Sequence, residues 1–478
     1  MSGLYLLVGL ALGAEGLGTT GELRLLASLP PDPVLDTDGN SMGQGAVLDS
    51  RIRAGASWTR SAWKVGLELD ALDGQLVGDT WDIAGDEDAR RRQSLDAFSL
   101  DGLSLRRAAV EGRLGVVGVQ AGLVTSHWGL GMVANDGAHD PVFGRTDFGD
   151  RVLRLRLATK PLDGGEGPLT VMLAGDRVVE DDTASWSPME GGQAAWQGIG
   201  ALLWAEEGQQ YGLYSVYRHQ TEQDGERVTR ATVVDLYADR HLPVGEWTLR
   251  LAGELAIIGG DTTRSQSYTS REGLDLRSQG FTGLVELRPS EAPSFAMLRV
   301  GWASGDGNPD DGVSRDFAFD RDFDVGMVLY DELLGAVEAQ TFNQLNDPGN
   351  AAQPPEGAET LVSEGAFRRA AFLQPVVGGN FLPWIHLRLG AALSWATAPP
   401  GQAFESYRAG GTPSNHLGQP TSGYGLGTEL NWALHLGDVE LAELLRPALV
   451  LQGGHLLANE NVGGGTLSLV TATGRLRW

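Results

Sequence analysis

Apolar and polar residues alternate with a period of two through most of this chain. Helical periodicity is scarce, so the pattern predicts strands. In "AWKVGLELDAL" (62–72), Trp63, Val65, Leu67 and Leu69 oppose Lys64, Glu68 and Asp70. In "RVLRLRLATK" (151–160), Leu153, Leu155 and Leu157 oppose Arg154, Arg156 and Lys160. "EWTLRLAGELAII" (246–258) sets Trp247, Leu249, Leu251, Leu255 and Ile257 against Arg250 and Glu254. "PWIHLRLGAALSW" (383–395) sets Ile385, Leu387, Leu389, Leu393 and Trp395 against His386 and Arg388. "GYGLGTELNWALHL" (423–436) does the same with six apolar residues against Glu429, Asn431 and His435. The chain ends on "LSLVTATGRLRW", where Val470, Ala472, Gly474, Leu476 and Trp478 share one face and Arg475 and Arg477 the other. Each run is about ten residues, the length a tilted strand needs to cross hydrocarbon.

Segmentation gives eighteen strands, starting near residues 21, 46, 62, 104, 115, 150, 168, 193, 209, 227, 245, 275, 294, 366, 384, 422, 445 and 466. Sixteen is the alternative count. "QQYGLYSVYRHQT" (209–221) alternates poorly, "RPALVLQGGHLL" (446–457) is apolar on both faces, and 366–379 reads as one strand or two. Connections after odd-numbered strands are mostly long, and those after even-numbered strands are short. Loops gathered on one rim and turns on the other predict an all-β fold, a transmembrane antiparallel up-and-down barrel. A soluble sandwich or propeller has no reason for this segregation, and no fixed repeat supports a propeller. The expected organisation is a single barrel domain over 20–478 with long acidic loops at 73–103, 125–149, 305–365 and 398–421.

Composition adds three constraints. With 36 basic and 62 acidic residues the net charge is −26, which opposes binding to nucleic acid. Cysteine is absent, so thiolate and disulfide chemistry are ruled out. The one sustained apolar run, "GLYLLVGLALGA" (3–14), is shorter than the roughly 20 residues a membrane helix needs. It has the length of a signal-peptide core, with Ala11-Leu12-Gly13 as a cleavage candidate, although no Lys or Arg precedes it. Residues 1–14 are therefore read as a signal-peptide remnant, against the alternative of a buried first strand.

If the apolar faces meet lipid, the polar faces line a lumen. The channel-lining candidates are Lys64, Arg154, Arg156, Arg250, Glu254, Arg299, Arg388, Glu429, Arg475 and Arg477. This subset is basic in an acidic chain, so the acid is expected mainly in loops. Arginines along a pore wall concentrate anions; the plainer reading is a hydrated wall of cross-strand ion pairs.

Loop 305–365 opens "GDGNPDDGVSRDFAFDRDFDVG". Asp306, Asn308, Asp310 and Asp311 have the oxygen-rich composition of a calcium loop, without the spacing of an EF-hand. Asp316, Asp320, Asp322 and Asp324 continue the acid. Calcium binding, bridging through divalent ions to lipopolysaccharide, and a plain solvated loop are the competing readings, the last ranked first. "LYDELLGAVEAQTFNQL" (329–345) is its one helix-like stretch, and a loop this long can fold inward to narrow a pore. In "GLVTSHWGLGMVANDG" (122–137), Ser126 and His127 raise a hydrolase reading. Neighbours on a strand point to opposite faces, so the pair itself is no nucleophile and base. No metalloprotease, serine-hydrolase or phosphate-loop motif is present, and the expectation is a non-enzyme. Trp128 is expected at the membrane interface.

"VQAGLVTSHWGLGM" (119–132), "VGWASGDGNPDDG" (300–312) and the aromatic-terminated last strand together resemble Gram-negative outer-membrane porins, in particular alginate-export-type barrels and related large barrels. That resemblance implies eighteen strands, residence in the bacterial outer membrane, and an arginine-rich lumen for which Arg154, Arg156, Arg250 and Arg388 are candidates. It also implies contact with lipid, lipopolysaccharide and the barrel-insertion machinery. The expected function is passive diffusion of small polar or anionic solutes, acidic sugars included. The alternatives are a plugged surface or adhesion barrel and, ranked below it, a barrel hydrolase. No cofactor is expected beyond calcium in loop 305–365.

Overall fold

The computed structural model describes residues 15–43, 45–78, 102–145, 149–162, 167–187, 191–290, 292–350, 365–437 and 446–478. The signal-peptide reading of 1–14 and most of loop 73–103 lie outside them. Eighteen strands form the wall. The first nine are β1 (Gly16–Leu29), β2 (Val47–Arg60), β3 (Trp63–Val77), β4 (Leu103–Leu114), β5 (Val117–Thr125), β6 (Arg151–Thr159), β7 (Leu169–Asp181), β8 (Ala194–Glu206) and β9 (Gln209–Thr221). The rest are β10 (Val228–Val244), β11 (Trp247–Thr262), β12 (Leu274–Pro289), β13 (Phe295–Ala303), β14 (Ala370–Leu382), β15 (Ile385–Ala396), β16 (Gly425–Gly437), β17 (Arg446–Ala458) and β18 (Thr466–Arg477). Each pairs antiparallel with the next, as β1 does with β2 and β17 with β18. The largest departures from the expected strand starts are at β1, which begins at Gly16 rather than 21, and β14, at Ala370 rather than 366.

The sheet closes where β1 meets β18, in register from Glu22 opposite Arg477 to Leu29 opposite Val470. Trp478 extends the seam: its N–H donates to the Gly21 carbonyl at 3.1 Å, and the Gly21 N–H to its carbonyl at 2.9 Å. The indole lies so close over Gly21 that a Cβ there would stand 2.1 Å from a ring atom. Closure leaves no free edge, which a wall immersed in hydrocarbon requires. The outward side chains match that solvent. Leu67, Leu155, Leu173, Leu236, Ile257, Leu389 and Leu430 are all exposed, with Trp63, Trp196, Trp247, Trp302 and Trp395 among them. Among the described residues no helix is long and apolar enough to cross a membrane; the strands do so.

The interior is filled rather than empty. The described parts of the 304–369 connection enter the barrel and carry a π-type turn (Leu329–Leu334) running into α1 (Gly335–Asn346), on the stretch read as helix-like. Its Phe317, Phe319, Phe323, Leu329, Leu333 and Phe367 form one core with Leu35 and Met42 of the 30–46 loop, Met132 and Phe143 of the 126–150 loop, and Leu456 and Leu469 of the wall. The aromatic rings meet edge to face, a favoured geometry for aromatic packing. This explains the strands with poor alternation. Leu469 belongs to the polar side of β18 by parity, yet it is buried against the loops. The inward face of β9 packs Tyr214 and Val216 against Trp128.

Two expectations are corrected. Trp128 is not an interface residue: it is 2% exposed inside the barrel. It lies over Gly212, where a Cβ would be 2.6 Å from the ring. It stacks on Tyr214 at 4.8 Å and donates from Nε1 to Asp235 at 2.7 Å. The acidic run after 316 is not solvated. Asp320, Asp322 and Asp324 are buried and accept the backbone N–H groups of Asn135, Gly149 and Arg145 at 2.9, 2.6 and 2.9 Å. These carboxylates satisfy the irregular backbone of the 126–150 loop, which otherwise carries a desolvation cost. The strands also place Glu22, Asp49, Asp70, Asp176, Asp235 and Asp239 on the inner face, and all of these are at least half-buried.

Candidate functional site

The lumen-facing side chains come from alternate positions of strands tilted across the barrel, so parity fixes which residues point inward. Their partners decide what they do. Arg154 is buried beside Asp176, donating through Nε at 2.8 Å and Nη2 at 2.6 Å, with Nη2 also 3.1 Å from Ser126 Oγ. Arg250 pairs with Asp239 at 2.7 Å. Arg475 reaches Asp140 of the 126–150 loop at 2.7 Å, and Arg477 reaches Glu22 at 2.8 Å. Lys64 and Arg156 stand half-buried on the same inner face. Glu254 and Glu429 are each 1% exposed. They lie under the inward loops rather than against open water. Glu254 accepts the Leu130 N–H. Glu429 accepts Val328 and Leu329 N–H at 3.1 and 2.9 Å, and Met327 N–H. It thereby places a carboxylate at the start of the 329–346 helical segment, where the orphan donors and the positive end of the helix dipole lie.

Arg299 and Arg388 differ from the rest. Arg299 donates to the Asp324 carbonyl (3.2 Å) and the Gln374 amide oxygen (2.8 Å). Arg388 donates to the carbonyls of Val142 (3.2 Å) and Pro141 (3.5 Å) and to His386 Nε2 (3.3 Å). Every one of these acceptors is neutral. Both guanidiniums line a cavity of about 400 Å³ between the 126–150 loop and the wall of β11 to β15. Four carboxylates share that cavity and are engaged elsewhere. Glu286 pairs with Arg288, Asp140 with Arg475, and Asp322 and Asp324 with loop N–H groups. Neither guanidinium makes a direct ion pair among the described residues, although the charge of Asp324 acts on Arg299 and that of Asp140 on Arg388.

Two of the four calcium candidates, Asp306 and Asp311, already accept donors of the chain itself. Asp306 accepts Asn308 N–H at 2.9 Å and Arg315 N–H at 3.0 Å. Asp311 accepts Val313 N–H at 2.8 Å and the Arg315 guanidinium at 3.1 Å, and the Asn308 amide points at Asp311 too. Asp310 offers its carbonyl to Ser267 and Thr269. The loop is thus a turn ordered by Asx-type bonds and one arginine. Ser126 and His127 do not combine either. Ser126 Oγ is held by Arg154, while His127 Nδ1 faces Asp136 at 3.8 Å. Sequence reading missed Asp176, Asp235 and Asp239 because they lie in strands whose inner faces are largely apolar. Their inward parity was nonetheless readable.

No protein-family model matches the chain, and no curated protein sequence does. Solved structures do. An Acinetobacter baumannii protein, OccAB1, superposes with a TM-score of 0.52 over 96% of each chain at 10% identity. A BenF-like porin from Pseudomonas fluorescens gives 0.51 over 96% of this chain and 98% of that one at 12% identity. The outer membrane protein opdK of Pseudomonas aeruginosa gives 0.50 over 96% and 99% at 12% identity. The fold is thus that of an eighteen-stranded outer-membrane porin. The likeness supports the porin fold and lends no support to the alginate-export resemblance of the short motifs.

Proposed function

We propose that this chain is an outer-membrane channel that passes small anionic solutes, carboxylates and acidic sugars among them, by diffusion through a lumen narrowed by the 126–150 and 304–369 loops. The observation that carries this reading is the pair Arg299 and Arg388, held by neutral acceptors on the wall of an internal cavity. A guanidinium fixed in a cleft with low-dielectric walls attracts anions more strongly than one on an open surface. The closed exterior of leucine and tryptophan supports residence in the outer membrane, where lipid and lipopolysaccharide are the neighbours.

Refolded protein in a planar bilayer under a salt gradient tests the proposal. The expected reversal potential is anion-selective, and Arg299→Gln with Arg388→Gln moves it towards cations. Clear cation selectivity of the wild type sinks the anion reading. Absence of stable channels supports the plugged barrel instead, and failure to fractionate with outer membranes rejects the location.

A further inference from the structure

We propose that His127, Asp136 and His139 of the 126–150 loop form a binding site for a divalent transition-metal ion, best probed with Zn2+, at the edge of the lumen cavity. One ligand atom from each of the three lies within 4.8 Å of the other two. Asp136 Oδ1 is 3.0 Å from His139 Nδ1 and 3.8 Å from His127 Nδ1. Bonds of about 2.0–2.2 Å in tetrahedral zinc set neighbouring ligand atoms about 3.4 Å apart. The two observed distances bracket that separation, so capture of an ion needs shifts of a few tenths of an ångström at those atoms. The imidazoles are stacked at 4.2 Å with 29° between their planes.

A second observation is independent of this proximity. His127 Nδ1 is buried and has no hydrogen-bond partner among the described residues, a costly state for a polar atom. It points at the carboxylate across the gap an ion would fill. The ligand set discriminates as well. Two imidazoles with one carboxylate suit zinc, copper or nickel rather than magnesium or calcium, which take mainly oxygen.

Asp136 is held in place. Its Oδ1 accepts the Ala138 N–H at 3.0 Å, and its carbonyl accepts from Arg106. Outer contacts of this kind orient a ligand. His127 and His139 both border the cavity. Three protein ligands therefore leave a fourth position open to water or a passing anion, as in open zinc sites.

The site stands whether or not the barrel conducts, so its test uses binding. Tag-free refolded protein is titrated with Zn2+ alone by calorimetry, with Ca2+ as the comparison ion. One saturable Zn2+ per chain and no matching Ca2+ response are expected. His139→Ala, at a partly exposed side chain, should keep the heat-modifiable barrel. It should weaken Zn2+ by more than the roughly 10–100-fold that loss of an outer contact costs. Should that variant not refold, His139→Gln is the substitute, with the same expectation. His219→Ala, on β9 and outside the cluster, should change nothing. Absence of saturable Zn2+ binding to the wild type, or undiminished binding by the His139 variant, overturns the proposal.

Discussion

The lumen has two kinds of wall. Around β6, β7 and β10, inward arginines and aromatics are closed off. Arg154 is locked to a fully buried Asp176, and Trp128 covers the neighbouring strands with its indole on Asp235. Further round the barrel, Arg299 and Arg388 donate to carbonyls, an amide and an imidazole beside a cavity, and Arg299 also lies over the rings of Phe323 and Phe372. The difference does not lie in the inward residue, which is arginine on an alternating strand in both places. It lies in what the adjacent strand and the overlying loop supply. A carboxylate one strand away turns an arginine into a structural strut, whereas carbonyls orient the guanidinium and leave its charge in place.

The largest expected effect separates the two walls by stability. Asp176→Asn leaves the Arg154 charge buried and unpaired, and breaking such a pair costs about 3–5 kcal/mol. Arg388→Gln removes a charge held by neutral groups and should cost under about 1.5 kcal/mol. Urea titrations of the two variants, followed by heat-modifiable mobility, check this. Equal losses would erase the distinction.

A smaller effect is expected where loop meets wall. Glu429→Ala leaves three backbone N–H groups near Leu329 without their acceptor, each previously satisfied inside the barrel. The segment 329–346 should loosen by about 2 kcal/mol, with the barrel itself intact. Chymotrypsin should then cut at Leu329 to Phe342, and single-channel conductance should rise. A variant that resists cleavage and conducts as before would show that the aromatic core alone holds the loop.

These two cases also mark what the sequence made legible. Lipid imposes one rule on every outward position, so the strands announce themselves, and even the 329–345 helix showed through. The inner face obeys no single rule. Leu469 and Tyr214 sit on it because loops distant in sequence cover them. Asp320, Asp322 and Asp324 look like surface acid until the backbone of the 126–150 loop is laid against them. Parity could have flagged Asp176 as inward. That it would neutralise Arg154 depends on the register of β6 against β7, which pairs the two directly.

The smallest effect concerns the loop rim that follows β15, on the side of Arg388, and is driven by pH. His416, in the 397–424 loop, is buried. It lies against Gly463, where a Cβ would stand 2.8 Å from its ring. Burial lowers its imidazole to about 4, and a hydrogen bond with the Val34 backbone and the charge of Asp36 offset this only in part. A histidine whose folded value is depressed binds its proton first in the unlocked state. The packing it supports is therefore fully present above about pH 6.5 and is lost as pH falls towards 4. At pH 5.5 that loss is about 1 kcal/mol relative to pH 7.5. Amide exchange in 397–424 should speed up over that interval, and His416→Gln should flatten the response. The guanidiniums of Arg299 and Arg388 keep their charge throughout, so anion selectivity should stay constant while the rim loosens. Selectivity that instead tracks the rim would mean that the rim and the cavity wall beneath it are mechanically one.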